Sequence, residues 1–267
     1  MTNGLSDLDS PKNTQYQDSA NLSARADLHQ RFSTNPISWQ SWVFDQIDLP
    51  DDSKILEVGS GPGYLWQQNQ TRLFKWDICL SDLSAGMLRE AKTALESYEG
   101  IRYVVHDACN IPSPKSAFDA VIANHMLYHL PNIPAALKEI KRVLKPGSCL
   151  YAATNGKAHM HEIEVWRSLF GSDHGGPAWG TPTSRFSLEN GEDLLQQEFK
   201  YIRLLDYPDS LIVDQVEPII RYIRSYTNLN KFHVRTDDLR EFLKKKIAEN
   251  DSVKISKKSG MFVASKH

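Results

Sequence analysis

One short stretch carries the first sign of chemistry. The apolar run Lys54–Val58 (KILEV) leads directly into glycines, so the chain reads Glu57-Val58-Gly59-Ser60-Gly61-Pro62-Gly63. Glycines at such a place let the backbone turn sharply and let a ligand approach it closely. Asp82 and Asp107 end two later apolar runs. An acid at the end of the second strand of an open sheet can accept hydrogen bonds from both hydroxyls of a ribose. A glycine turn alone can serve packing, and a lone Asp can serve as a helix cap. Three such features in register point to a ligand crevice. The spacing also carries information about charge. A pyrophosphate turn reads GxGxxG and aims a helix N-terminus at phosphate. Here the pattern is GxGxG preceded by an acid, so Glu57 would repel a pyrophosphate and suits a cationic ligand.

Elements of a particular kind are needed to position these residues. Trp76–Leu80, Ile101–Val105, Phe118–Ala123 and Ser148–Ala153 are apolar runs like the first. Helical patterns lie between them at Gly63–Leu73, Ala85–Ser97 and Ile133–Leu144, and Lys145-Pro146-Gly147 reads as a helix stop and turn. This alternation predicts an α/β fold, a doubly wound parallel sheet with helices on both faces. Two amphipathic helices precede it, one over Asp18–Arg31 and one after Pro36 carrying Trp39, Trp42, Val43, Phe44 and Ile47. After Thr154 the alternation breaks. Helices are expected over Met160–Phe170, Leu188–Phe199 and 214–249, the last split near Thr227–Lys231, with a strand over Tyr201–Asp206. Val253–Ser256 and Met261–Ser265 read as a hairpin around Lys257–Gly260.

At these residues the chain resembles the class I S-adenosylmethionine-dependent methyltransferases, closest to their small-molecule, ubiquinone/menaquinone-methylase-like branch. ILEVGSGPG, LSDLSAGMLREAK, VVHDACNIP, FDAVIANHMLYHL and LKEIKRVLKPGSCLYAAT carry the resemblance, over about residues 52–154. It implies a Rossmann-like methyltransferase sheet with a mostly helical lid, and S-adenosyl-L-methionine as cofactor. Gly59, Gly61 and Gly63 would make room for its methionine and ribose. Asp82 would hold the ribose, with Leu83 and Met87 packing by the adenine. Asp107 and the Ala108 amide would bond the adenine, Asn124 would line the methyl group, and Tyr16 and Arg31 in an N-terminal lid would reach the amino-acid end. The implied division is a flexible tail (1–15), an N-terminal helical lid (16–47), a cofactor-binding core (48–155), an inserted helical lid (156–199) and the last strands with a helical insertion (200–267).

The methyl group of a sulfonium is already activated. The protein has mainly to align a nucleophile and exclude water, and a base is needed only for a protonated nucleophile. His125, followed by Tyr128 and His129, is the candidate base or orienting group; a histidine there can equally cap a helix. His159, His161 and His174 are irregularly spaced and lack a partnering set of carboxylates, so no metal site is expected. The aromatics of the lid segments, Tyr16, Phe32, Trp39, Trp42, Trp166, Phe170, Trp179, Phe186, Tyr222 and Tyr226, are expected to be mostly core, with a few lining an apolar pocket for a ring-bearing substrate or facing the sulfonium by cation–π attraction.

Composition narrows the field. A net charge of -2 and only short lysine runs disfavour a nucleic-acid partner. No run of apolar residues is long enough to span a membrane. Three scattered cysteines and the polar start MTNGLSDLDS suit a reducing cytoplasm. The expected activity is methyl transfer to an O or N atom of a small-molecule acceptor, in secondary or specialised metabolism. A nucleotide-linked oxidoreductase on the same sheet and a non-catalytic binding module are the alternatives. The GxGxG spacing and Asp107 speak against the first, and the intact glycines and acids against the second. Oligomeric state is left open.

Overall fold

The computed structural model describes residues 20–72, 76–171, 182–227 and 234–266. Tyr16, His174 and Trp179 lie outside them. The chain divides into two compact units. One comprises residues 37–157, 181–207 and 258–267, and the other 1–36, 158–180 and 208–257. The expected 16–47 segment is thus shared between the two, with its first helix in one unit and its second in the other.

The larger unit is built on a seven-stranded sheet. Its strands are β1 (Lys54–Val58), β2 (Asp77–Asp82), β3 (Ile101–Val105), β4 (Phe118–Asn124), β5 (Leu144–Asn155), β6 (Tyr201–Tyr207) and, from the chain's end, β9 (Ser259–Ser265). The order is β3-β2-β1-β4-β5-β9-β6. β1 to β5 pair in parallel, while β9 runs antiparallel to both β5 and β6. This is the expected doubly wound α/β sheet. Its inner strands are apolar on both faces because helices cover both; Ile55, Leu56, Val58, Val121 and Ile122 are all buried.

The helices of this unit are α2 (Trp39–Asp45), α3 (Tyr64–Gln67), α4 (Ala85–Ala94), α5 (Ile133–Val143) and α7 (Gly191–Leu195). α5 shows why its sequence is helical. Asn132 caps its start by accepting the Ala135 N–H, and Ile133, Ala136, Leu137, Ile140 and Val143 recur on one buried stripe. α3 is much shorter than the expected Gly63–Leu73. The Asn69 side chain takes the Leu65 carbonyl at 2.7 Å, and its backbone N–H turns to Trp66 instead, which closes the helix. The helix stop expected at Lys145-Pro146-Gly147 is there, α5 ending at Val143, but the turn is not: β5 starts at once and carries a register shift at that place.

The smaller unit holds α1 (Ala20–Phe32), α6 (His161–Phe170), β7 (Ser210–Val213), α8 (Val216–Thr227), α9 (Thr236–Asn250) and β8 (Val253–Ser256). Its core joins Leu28, Met160, Ile163, Trp166, Leu211, Ile219, Ile223, Leu239, Leu243 and Ile255. β8 pairs antiparallel with β7. The hairpin expected between 253–256 and 261–265 is therefore absent, and each strand has a partner of its own. Two residues of the supposed turn explain this. The ammonium of Lys257 is bonded to the Asp209 carboxylate, both side chains being sealed from solvent. Gly260 lies within the sheet, where a Cβ would stand 2.7 Å from the Leu205 carbonyl oxygen.

Asp209 also accepts from Ser33 Oγ at 2.6 Å and from the backbone N–H groups of Thr34 and Asn35 at 3.0 and 3.1 Å. It ties the end of α1 to the β7–β8 ribbon. Asp209→Asn leaves a buried ammonium without its counter-charge and is expected to cost about 3–5 kcal/mol in urea unfolding. Adding Lys257→Met should recover much of that loss, because a buried ion pair replaced by apolar groups of similar size is close to neutral.

Candidate active site

In an open parallel sheet the ligand crevice lies beyond the carboxyl ends of the strands, where the strand order reverses. Here the reversal falls at β1, which pairs with β2 on one side and β4 on the other. Gly59–Gly63, Asp82, Asp107 and Asn124 all follow or end strands at that edge.

The glycine loop closes onto β2. The Ser60 N–H donates to the Ser81 carbonyl at 2.9 Å, and the Gly61 N–H donates to Asp82 Oδ2 at 2.9 Å. The other carboxylate oxygen, Oδ1, accepts from the Ser84 N–H at 2.8 Å. The Leu83 N–H also bonds this carboxylate, and of its four lone-pair sites one is left for a hydroxyl donor. Burial pushes its pKa up, against the N–H groups of Ser84, Gly61 and Leu83 and the nearby His106, which pull it down.

The three glycines have different surroundings. A Cβ on Gly59 would stand 2.7 Å from Met126 Cβ, and one on Gly63 would stand 3.2 Å from Leu95 Cδ1. Those two positions are filled by the protein itself. Around Gly61, at φ +55°, nothing lies within 4 Å of the Cβ position. Of the three glycines of this loop, Gly61 is the one that faces open space.

Glu57 is 2% exposed, and its Oε2 accepts from the Trp66 indole N–H at 2.6 Å. Burial raises its pKa to about 8; the Trp66 bond opposes the rise and the Asp82 charge adds to it. The carboxyl is therefore largely protonated at neutral pH.

Beyond β2, Leu83 is 54% exposed, and Val105 at the end of β3 is exposed to the same extent. Val105 is the register partner of Asp82, so these apolar groups belong to neighbouring strand ends. Met87, expected beside Leu83, is buried at 1% in the first turn of α4. Asp107 is exposed and accepts the Cys109 N–H at 2.8 Å, while Ala108 is buried. The structure thus brings Gly61, Asp82 and Leu83 to one open place, with Asp107 just past the end of the adjoining strand.

Asn124 and His125 stand at the end of β4. His125 has φ +56°, a left-handed conformation that costs a non-glycine residue energy, and its N–H is held by the Ala153 carbonyl at 3.1 Å. The Trp39 indole N–H donates to Asn124 Oδ1 at 3.1 Å. Trp39 is one of the lid aromatics expected to be mostly core, with a few lining a pocket; its position on α2 reads locally as part of a buried face. Among the described residues no three His, Cys, Asp or Glu side chains are grouped to hold a metal, and no helix is long and apolar enough to cross a membrane.

Comparison with known proteins falls on the same residues. A family model described as a methyltransferase domain matches residues 56–152. A malonyl-(acyl-carrier protein) O-methyltransferase of Methylococcus capsulatus is 31% identical over 157 residues, 58% of this chain and 54% of that protein. A demethylmenaquinone methyltransferase of Staphylococcus epidermidis is 32% identical over 121 residues, 41% of this chain and 46% of that protein. The chain thus spans about half the length, or less, of these curated relatives. Among solved structures, phosphoethanolamine N-methyltransferase 2 of Haemonchus contortus, in complex with S-adenosyl-L-methionine, is similar with a TM-score of 0.58. It covers 100% of this chain and 60% of its own at 18% identity, a likeness of fold. The glycine loop, Asp82, Asp107 and Asn124 all lie within the residues 56–152 that match a methyltransferase domain, and the fold is similar to that of a methyltransferase of known structure.

Proposed function

We propose that this protein binds S-adenosyl-L-methionine at the carboxyl edge of β1, β2 and β3 and transfers its methyl group to an O or N atom of a small-molecule acceptor. The observation that carries this reading is the junction of Gly61 with Asp82: an open glycine beside a carboxylate with a lone pair to spare. A ribose needs both. The exposed Leu83 and Val105 offer apolar surface for an adenine beside it, with Asp107 and the Ala108 amide at its edge. Glu57, the glycine loop and Asn124 border the methionine end. Tyr16 keeps its expected place in this reading, outside the described residues. A role in secondary or specialised metabolism goes with a small acceptor.

The bound cofactor supplies an electrophilic methyl group on a sulfonium. The chain's own residues supply orientation and the handling of a proton. For a hydroxyl acceptor, the His125 imidazole would take the hydroxyl proton as the oxygen is methylated. An amine arriving neutral attacks with its own lone pair. Holding the two partners in line is worth about 7–11 kcal/mol of barrier, far more than the roughly 10²–10⁴-fold from a base. Positioning is therefore the larger task of the site.

Three measurements test this reading. Asp82→Ala should weaken S-adenosylmethionine binding in calorimetry by about 1.5–3 kcal/mol, as expected for hydrogen bonds to a charged group. An unchanged affinity removes Asp82 from the site. Gly61→Val should lose the cofactor, by filling the open space and by straining the turn at φ +55°, whereas Gly59→Ala should lose thermal stability chiefly through its clash with Met126. A Gly61→Val protein with normal affinity contradicts the placement of the ligand. The third concerns Glu57, whose pKa is about 8 in the free protein. A cation bound nearby favours the carboxylate and lowers that value. Binding then releases a proton near pH 7, and affinity rises with pH up to about 8 and levels off above it. Calorimetry in buffers of different ionisation enthalpy reads the proton directly, and Glu57→Gln should abolish its release.

A further inference from the structure

The larger sheet ends at β6, and that edge carries side chains that the cofactor reading leaves unused. β6 reads Tyr-Ile-Arg-Leu-Leu-Asp-Tyr and pairs with β9 without a bulge from Tyr201 to Tyr207. On its other side the sheet has no further strand. An open edge is a template for another strand, and folds usually blunt it with a proline, a bulge or charges. β6 has no proline and no bulge, and its exposed side chains include the apolar Tyr201 at 54% and Leu204 at 38%. Its two faces also stand at the borders of two separate cores. Ile202 packs against the core that holds Phe262 and Ala264, and Leu205 against the core that holds Met261. Both cores stop at this strand with half-buried apolar groups.

The charges at this edge are of both signs: Lys200 just before β6, then Arg203 and Asp206, all exposed. Lys200 lies over the Tyr201 ring at 5.6 Å, and among the described residues neither Lys200 nor Asp206 is in an ion pair. Two copies of an edge strand related by a two-fold axis pair antiparallel, and the axis keeps every residue on its own face of the sheet. One residue then sits opposite its own copy, and the choice of that residue fixes the register. With Arg203 at the axis, Lys200 of each copy stands opposite Asp206 of the other, Ile202 opposite Leu204, and Tyr201 opposite Leu205. With Leu204 or Leu205 at the axis, Asp206 meets Ile202 or Leu204 instead. With Ile202 there, Lys200 meets Leu204. Of these four registers, the one centred on Arg203 matches opposite charges and apolar groups alike. Its cost is Arg203 facing Arg203, since like charges directly opposite disfavour pairing.

We propose that this protein forms a two-fold dimer by antiparallel pairing of β6 with β6 of a second copy, centred on Arg203, so that the sheet continues through both subunits. Within one chain Lys200 and Asp206 lie at opposite ends of the strand, roughly 20 Å apart at about 3.3 Å per residue. That is well beyond the range of screened charges, so a coupling between them reports contact between copies. The inference is independent of the methyl-transfer reading.

Sedimentation of the full chain across micromolar concentrations should show a reversible monomer–dimer equilibrium. Lys200→Asp and Asp206→Lys each set like charges opposite one another and should raise the dimer dissociation constant at least about tenfold. The double variant restores both pairs with their signs exchanged, and should return to within about threefold of the wild type. Arg203→Thr removes the like charges at the axis and should tighten the dimer about threefold or more. These positions are exposed, so thermal melting followed by circular dichroism should be unaltered in every variant, which separates lost pairing from lost folding. A wild type that stays monomeric at every concentration would overturn the proposal and leave this edge to an extended segment of another protein. Single reversals without effect, a double variant as weak as the single ones, or a weaker dimer in Arg203→Thr would each overturn it as well.

Discussion

The pairing of β1 with parallel neighbours on both sides is the constraint on which the rest of the molecule depends. Parallel strands cannot be joined by tight turns, so every connection must cross over through a helix or a long loop. At β1 the crossovers lead in opposite directions, toward β2 and β3 on one side and toward β4 and β5 on the other. The space beyond the carboxyl end of β1 is left open between them. Strands buried on both faces hold that opening rigid, and the polar residues at the strand ends acquire fixed positions from the sheet.

Within that opening, one motif divides its labour. Gly59 and Gly63 are filled by Met126 and by Leu95 and Ala91, so their missing side chains serve the packing of the loop. Gly61 alone faces room. The acid before the glycines is equally divided in purpose. Glu57 is sealed against Trp66 and holds its proton to about pH 8, which makes it a latent charge in the free protein rather than a standing one. A buried carboxyl of this kind costs little while it remains neutral.

The final segment shows how tertiary contacts override local pattern. Two short apolar runs separated by Lys257-Lys258-Ser259-Gly260 satisfy the usual grammar of a hairpin. The first run is claimed by β7 and the second by β5 and β6, and the would-be turn carries a buried ammonium. β9 fills the position between β5 and β6 and lets β6 run parallel to the others. Through it Tyr207 reaches the edge where Asn124 and Trp39 meet.

The sequence by itself determined the alternation of strand and helix over 54–155, the parallel sheet, and the placing of Gly61, Asp82, Asp107 and Asn124 at one edge. These follow from local pattern, since apolar period and glycine position are properties of neighbouring residues. Tertiary structure decided what local pattern does not encode. Which glycine faces open space depends on Met126 and Leu95, residues far along the chain. The protonation of Glu57 depends on burial by elements outside its own strand. The strand partners of 253–256 and 259–265, and the bond from Trp39 to Asn124 across 85 positions, depend on where the sheet brings distant segments together. Long-range pairing is set by the whole fold's competition for partners, and that competition is invisible in any short window of sequence.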